Sequence, residues 1–168
     1  MFFVKPTQGE RAKQEIAEGG QRVFTACDKN KSMEHRLKKD IAALDLPPEV
    51  LLEFGTKANG EDDQQNFTVT IHPNEDSYWH GGKYPFKFEI SENYPFEPPL
   101  VLCTTKIWHP NINLDGNVCL NILRKDWKPV LSINHVIFGL ETLFLSPNPT
   151  DPLNKGKFLN SGCCQDLI

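Results

Sequence analysis

Cys119 stands eight residues beyond Asn111, the last residue of the tripeptide His109-Pro110-Asn111. A cysteine thiolate is a strong nucleophile near neutral pH; it forms a thioester with a carboxyl group and leaves readily when an amine attacks. An asparagine nearby can offer an amide N–H to a developing oxyanion, and one hydrogen bond aimed at transition-state charge is worth roughly 3 kcal/mol. Acyl transfer from a carboxyl donor to an amine is the chemistry these residue types would serve together. Spacing alone leaves plainer readings open. A lone cysteine is more often a small buried hydrophobe, and an asparagine near a turn more often bonds its own backbone. A cysteine protease pairing Cys119 with His109 or His135 is weaker, because the local signatures of the protease families and an orienting partner for either histidine are missing from the sequence.

The segment that carries these residues, Thr104 to Pro129, is rich in turn formers (Pro110, Asp115-Gly116, Pro129) and has no sustained apolar period, so it must be positioned by what surrounds it. Upstream, Leu37, Ile41 and Leu44 recur at spacings of four and three with Arg36, Lys38, Lys39 and Asp40 between them, which predicts a helix with one apolar face, ended by Pro47-Pro48. Period-two alternation at Phe67, Val69, Ile71 and again at Phe86, Phe88, Ile90 predicts strands with one buried face. With turn signals at Pro73-Asn74 and Gly81-Gly82, the economical topology is an antiparallel meander of Val50–Gly55, Asn66–His72, Tyr84–Ile90 and Leu100–Cys103. Tyr94-Pro95-Phe96-Glu97-Pro98-Pro99 reads as a stiff, proline-fixed loop after the third strand. Downstream, Ile133, Val136, Ile137, Leu140, Leu143 and Phe144 fall on one helical face, with Ser132 placed as N-cap and Pro147 and Pro149 beyond the end.

Composition sets limits on partners and compartment. The chain has 168 residues and a formal charge of −4, divided as +3 over residues 1–40 and −7 over the rest. An acidic body with a mildly basic head lacks the clustered positive charge of a nucleic-acid-binding face, and a protein partner is expected for the head. The most apolar stretch, Val130 to Leu145, is broken by Ser132, Asn134, His135 and Glu141, so no membrane span is expected. Met1-Phe2-Phe3-Val4 is too short an apolar run for the core of a secretory signal. Cys27, Cys103, Cys119, Cys163 and Cys164 are odd in number and show no metal-ligand spacing, which fits reduced thiols in the cytoplasm or nucleus. Residues 1–32 mix glycine and charge without a sustained period and read as a flexible N-terminal extension with at most a short helical stretch near Ala12–Glu18. A core domain over 33–155 and a tail over 156–168 complete the expected organisation.

A series of ordered motifs goes further. His109-Pro110-Asn111-Ile112-Asn113, Gly116-Asn117-Val118-Cys119-Leu120, Trp127-Lys128-Pro129 and Pro147-Asn148-Pro149 with Asp151-Pro152-Leu153 resemble the ubiquitin-conjugating enzyme family, as do Gly81-Gly82 and the Tyr94–Pro99 loop. The stretches Cys119–Leu131 and Asp151–Lys155 look most like its neddylation branch, whose modifier goes to cullins. The resemblance implies an α+β, UBC-like fold. It implies that Cys119 accepts a ubiquitin-like modifier as a thioester from a heterodimeric activating enzyme and passes it to a lysine, with cullins as substrate. Asn111 would stabilise the tetrahedral intermediate or order the loop that does so, and His109 and Pro110 would hold Asn111 in place. Asp151 would orient and help deprotonate the incoming lysine. Pro95 with Phe96, and Pro129 with Val130, would meet a RING-type ligase. Met1, Phe2 and Phe3 would dock on the activating enzyme and a co-ligase. A monomer needing no cofactor or metal is expected, with ATP consumed only by the upstream enzyme. A ubiquitin-specific enzyme and an inactive scaffold are the alternatives.

Two features depart from the family pattern. After Lys155 the family continues into a pair of helices, whereas the remaining residues include Gly156, Gly162, Cys163 and Cys164 and make a poor helix. A shortened C-terminus is therefore expected, with apolar surface uncovered on the 133–144 helix. Asp115 also places a carboxylate close in sequence to Cys119, which would disfavour the thiolate if it were close in space.

Overall fold

A computed structural model describes residues 26–148 and Leu153, with side chains from Asn30 onward. Ala12–Glu18, Met1, Phe2, Phe3, Asp151 and the tail 156–168 lie outside the described residues. Helix α1 (Ala26–Ala42) starts well before Met33, where the sequence pattern places the beginning of the domain. Residues 26–32 are mostly polar and carry no apolar period, so nothing in the pattern marks those first turns. The helix ends at Ala42, ahead of Pro47-Pro48, and Leu44 falls just beyond it. Met33 and Leu37 are buried in the core, with Ile41 and Leu44 packed beside them. Asp40, grouped by the pattern with the polar residues, is instead buried at 7% exposure.

Strands β1 (Val50–Thr56), β2 (Asp62–Ile71), β3 (Tyr84–Glu89) and β4 (Leu100–Cys103) pair in sequence order, each antiparallel to the last, as the expected meander requires. The register sets Phe67 opposite Phe88 and Val69 opposite Phe86, so the buried residues of β2 and β3 share one face. The Phe67 and Phe88 rings stack with centroids 5.0 Å apart. β2 begins at Asp62 rather than Asn66, because its polar first residues pair with β1 across a register shift at Phe54/Gly55. Gly55 permits that shift, since a Cβ there would lie 2.7 Å from the Asn66 carbonyl oxygen.

Helix α2 (Ile133–Leu145) buries Ile133, Val136, Ile137, Leu140, Leu143 and Phe144, the face its periodicity predicts. Ser132 is the N-cap, and its backbone N–H donates to Nδ1 of His135, which stands at the third helical position. Phe144 fastens the helix to the sheet by stacking on Tyr84 at 5.0 Å and meeting Phe86 edge-on at 6.1 Å. The result is the α+β arrangement of an N-terminal helix, a four-stranded sheet and a central helix. On the outer side of α2, Phe138 and Leu145 are exposed.

Candidate active site

β4 ends at Cys103, and the chain then returns along its edge to reach Cys119. Gly116 makes the closest approach. Its φ is 87°, its carbonyl accepts the Cys103 N–H at 2.8 Å, and a Cβ there would fall 2.1 Å from the Cys103 carbonyl oxygen. Only glycine fits a backbone so placed. Asn113 shapes the preceding turn, its Oδ1 accepting the amides of Asp115 at 3.0 Å and Asn117 at 2.8 Å. The Asp115 carboxylate is exposed and accepts from Nδ2 of Asn113. Bridges between Leu102 and Asn117, and between Ile112 and Val118, pin the rest of the loop to the sheet edge and to itself.

The backbone N–H of Cys119 donates to the Asn111 carbonyl at 2.7 Å, so the two residues singled out by spacing are joined directly. Cys119 is a free, half-buried thiol. Cys103, the other cysteine with a described side chain, is buried, and desolvation pushes its thiol pKa up, which suits it to packing rather than attack.

Asn111 is almost fully buried. Its Nδ2 donates to the Asn148 carbonyl at 2.9 Å and its Oδ1 accepts the Asn148 amide at 2.8 Å. This pair of bonds clamps the chain just beyond α2 to the loop bearing Cys119. His109 is fully buried, and its Nδ1 accepts the Asn111 N–H at 3.0 Å. That bond leaves the ring proton on Nε2, which donates to the Leu143 carbonyl at 3.0 Å. Trp79 packs over the ring at a centroid distance of 4.3 Å. Burial lowers the His109 pKa to about 4, so the ring is neutral at pH 7 with both nitrogens engaged. The ring braces the Asn111 amide against the last turn of α2. Pro110 completes the frame, its carbonyl accepting the Leu153 amide at 3.0 Å. The tripeptide thus grips the chain at 148 and 153, on either side in sequence of Asp151, which itself lies outside the described residues.

The family model described as ubiquitin-conjugating enzyme matches residues 36–161, a span that includes this whole site. The chain belongs to the ubiquitin-conjugating enzyme family. NEDD8-conjugating enzyme Ubc12 of Arabidopsis thaliana is 51% identical over 154 residues, covering 92% of this chain and 79% of that protein. Nedd8-conjugating enzyme UbcE2M of Drosophila melanogaster is 46% identical, covering 81% of this chain and 72% of the relative. Among solved structures, Saccharomyces cerevisiae Ubc12 superposes with a TM-score of 0.68 at 42% identity, covering 88% of this chain and 76% of its own. The fold described above is accordingly the UBC-like fold that the motifs imply.

In this ubiquitin-conjugating enzyme family member, Phe96 and Val130 stand out at 78% and 76% exposure, so Phe96 is not folded back onto the core. Pro129 is exposed and Pro95 half-buried. The Trp127 indole N–H donates to the Pro95 carbonyl at 2.8 Å and joins the two loops. Among the described residues no cluster of His, Cys, Asp or Glu could hold a metal ion. Sequence reasoning did not single out Asn148, although it lies in the quoted Pro147-Asn148-Pro149 motif. Asn113 carries a turn signal that could have been read, whereas nothing in the helical pattern distinguishes Asp40.

Proposed function

We propose that this chain is a conjugating enzyme of the NEDD8 type. Its Cys119 thiolate attacks the thioester carbonyl on the activating enzyme, and the modifier's carboxyl passes to Cys119 as that enzyme's cysteine leaves as a thiolate. The neutral amine of a substrate lysine then attacks; an amide bond forms, the amine proton goes to a base, and Cys119 leaves as a thiolate. The observation that carries this reading is the thiol itself, half-buried and bonded through its amide to Asn111. It sits in a chain about half identical to proteins named NEDD8-conjugating enzymes in plant and yeast.

Within the proposal, Asn111 orders the loop around the tetrahedral intermediate, His109 and Pro110 hold Asn111, and Asp151 serves the incoming lysine. A RING-type ligase takes Phe96 and Val130 with their proline neighbours, an exposed aromatic and an apolar partner forming the anchor. Met1, Phe2 and Phe3 dock on the activating enzyme and co-ligase, and cullins receive the modifier. The test is charging of the purified chain with ATP and either the NEDD8 or the ubiquitin activating enzyme, read as a reductant-sensitive band. Charging with NEDD8 alone supports the proposal. Charging with ubiquitin alone overturns the modifier assignment, and a folded chain that charges with neither overturns the transferase reading.

A further inference from the structure

Asp40 is a buried carboxylate on α1 that no step of the acyl transfer uses, yet its partners lead to both exposed loop anchors. Arg36, one turn earlier, places Nε 3.0 Å from each Asp40 carboxylate oxygen. The same guanidinium donates from a second nitrogen to the Leu131 carbonyl at 2.9 Å, immediately after Val130. From the other side the Tyr94 hydroxyl donates to Asp40 Oδ2, two residues before Phe96. Burial first, and then the Asp40 carboxylate, hold the Tyr94 phenol far above its ordinary pKa, so the hydroxyl remains a donor. The Tyr94 and Trp127 rings pack with centroids 6.0 Å apart, and the Trp127 bond to the Pro95 carbonyl closes the circuit. A cleft of about 430 Å³ lies between the middle of α1 and this loop, lined by Met33, Tyr94 and Phe96 among others. A charged group is costly to bury unless fully paired, so a three-way junction around Asp40 needs a reason beyond filling space, which an apolar residue would do at least as well.

We propose that Asp40 and Arg36 are positioning residues that fix the Tyr94–Phe96 and Val130–Leu131 loops at the spacing a RING-type ligase grips. This rests on the assignment of Phe96 and Val130 to the ligase. Arg36 is suited to the task because its planar fork reaches the carboxylate and the Leu131 carbonyl at once from two nitrogens, whereas lysine carries its donors on a single nitrogen and cannot reproduce that geometry. Ligase-free chemistry at Cys119 does not pass through this junction.

The experiment uses the full chain charged at Cys119 and compares discharge to free lysine without ligase with ligase-stimulated discharge. Arg36→Lys and Tyr94→Phe are the test variants, with Phe96→Ala and Val130→Ala as the check on the surface itself. Tyr94 is almost fully buried with its hydroxyl turned to Asp40, so a loss in Tyr94→Phe, which removes only that hydroxyl, is transmitted through the loops. Both test variants are expected to keep ligase-free discharge within about twofold and to lose about tenfold of the ligase-stimulated rate, the order set by one hydrogen bond to a charged group. Amide exchange at Phe96 and Leu131, whose N–H groups donate to the Asn93 and Lys128 carbonyls, is expected to quicken in both, while exchange in β2 and β3 stays as in the parent chain. Full ligase stimulation in either test variant, with Phe96→Ala impaired, overturns the positioning role alone. Full stimulation in Phe96→Ala and Val130→Ala overturns the surface assignment and the proposal with it. Equal losses with and without ligase also overturn it, since they mark a general loss of structure.

Discussion

Replacing His109 with glutamine removes a titrating ring while leaving an amide that can still donate toward the Leu143 carbonyl. Burial holds the His109 pKa at about 4, against 6.5 for the unperturbed ring. Between those values the unfolded chain binds a proton that the folded chain refuses, so stability falls as pH drops through that window. Above 6.5 both states are neutral and the contribution is constant; below about 4 both are protonated and the loss levels off. At about 1.4 kcal/mol per pKa unit, the loss on going from about pH 7.5 to about pH 5 is about 2 kcal/mol, approaching about 3 kcal/mol near pH 4. Urea unfolding of the parent chain and His109→Gln across this range measures it, and the difference between the two curves cancels the carboxylates they share. The parent chain is expected to lose about 2 kcal/mol more than His109→Gln by about pH 5, even though the variant starts less stable. Parallel curves would refute the reasoning, because they would mean that the ring is hydrated or charged in the folded protein.

Asn111→Ala removes both bonds to Asn148 and is expected to cost about 1–3 kcal/mol in urea unfolding. In single-turnover assays it should slow lysine discharge far more than charging, and equal slowing of both would count against the clamp. Gly116→Ala forces a side chain into a left-handed backbone pressed on Cys103 and is expected to cost about 3 kcal/mol, read as a lowered melting temperature. A melting point equal to the parent's would mean that the loop can move off β4. Phe138→Ser, on the exposed side of α2, is expected to change stability by no more than about 0.5 kcal/mol. A larger loss in the same melting assay would show that this face is covered in solution.

The elements that position the site were legible wherever a residue's neighbours along the chain report its surroundings. Alternation at Phe67–Ile71 and Phe86–Phe88 located two central strands, and the spacing from Ile133 to Phe144 located the central helix with its buried face. Polar ends were not legible in this way. The first turns of α1 and residues 62–65 of β2 are held by helix propagation and by pairing with β1, neither of which leaves a local apolar period. At the site, residue types pointed to Cys119 and Asn111, and the motif resemblance added the supporting place of His109. The partner of Asn111 was hidden because the bonds to Asn148 run from a side chain to backbone, 37 residues away. Asp40 was misplaced for a related reason. A carboxylate one turn after an arginine reads as a surface pair, and only the tertiary arrival of Tyr94 and the Leu131 carbonyl makes that spot an interior one.

The central claim, that Cys119 held beside Asn111 is the residue that carries the modifier, is tested most directly by Cys119→Ser in the charging assay. A serine at that place takes the carboxyl as an oxygen ester, which thiol reductants do not cleave. The account predicts that the parent chain gives a band lost on reduction and that Cys119→Ser gives a band that survives it. A reductant-sensitive band persisting in Cys119→Ser would put the carboxyl on another of the five cysteines and contradict the account.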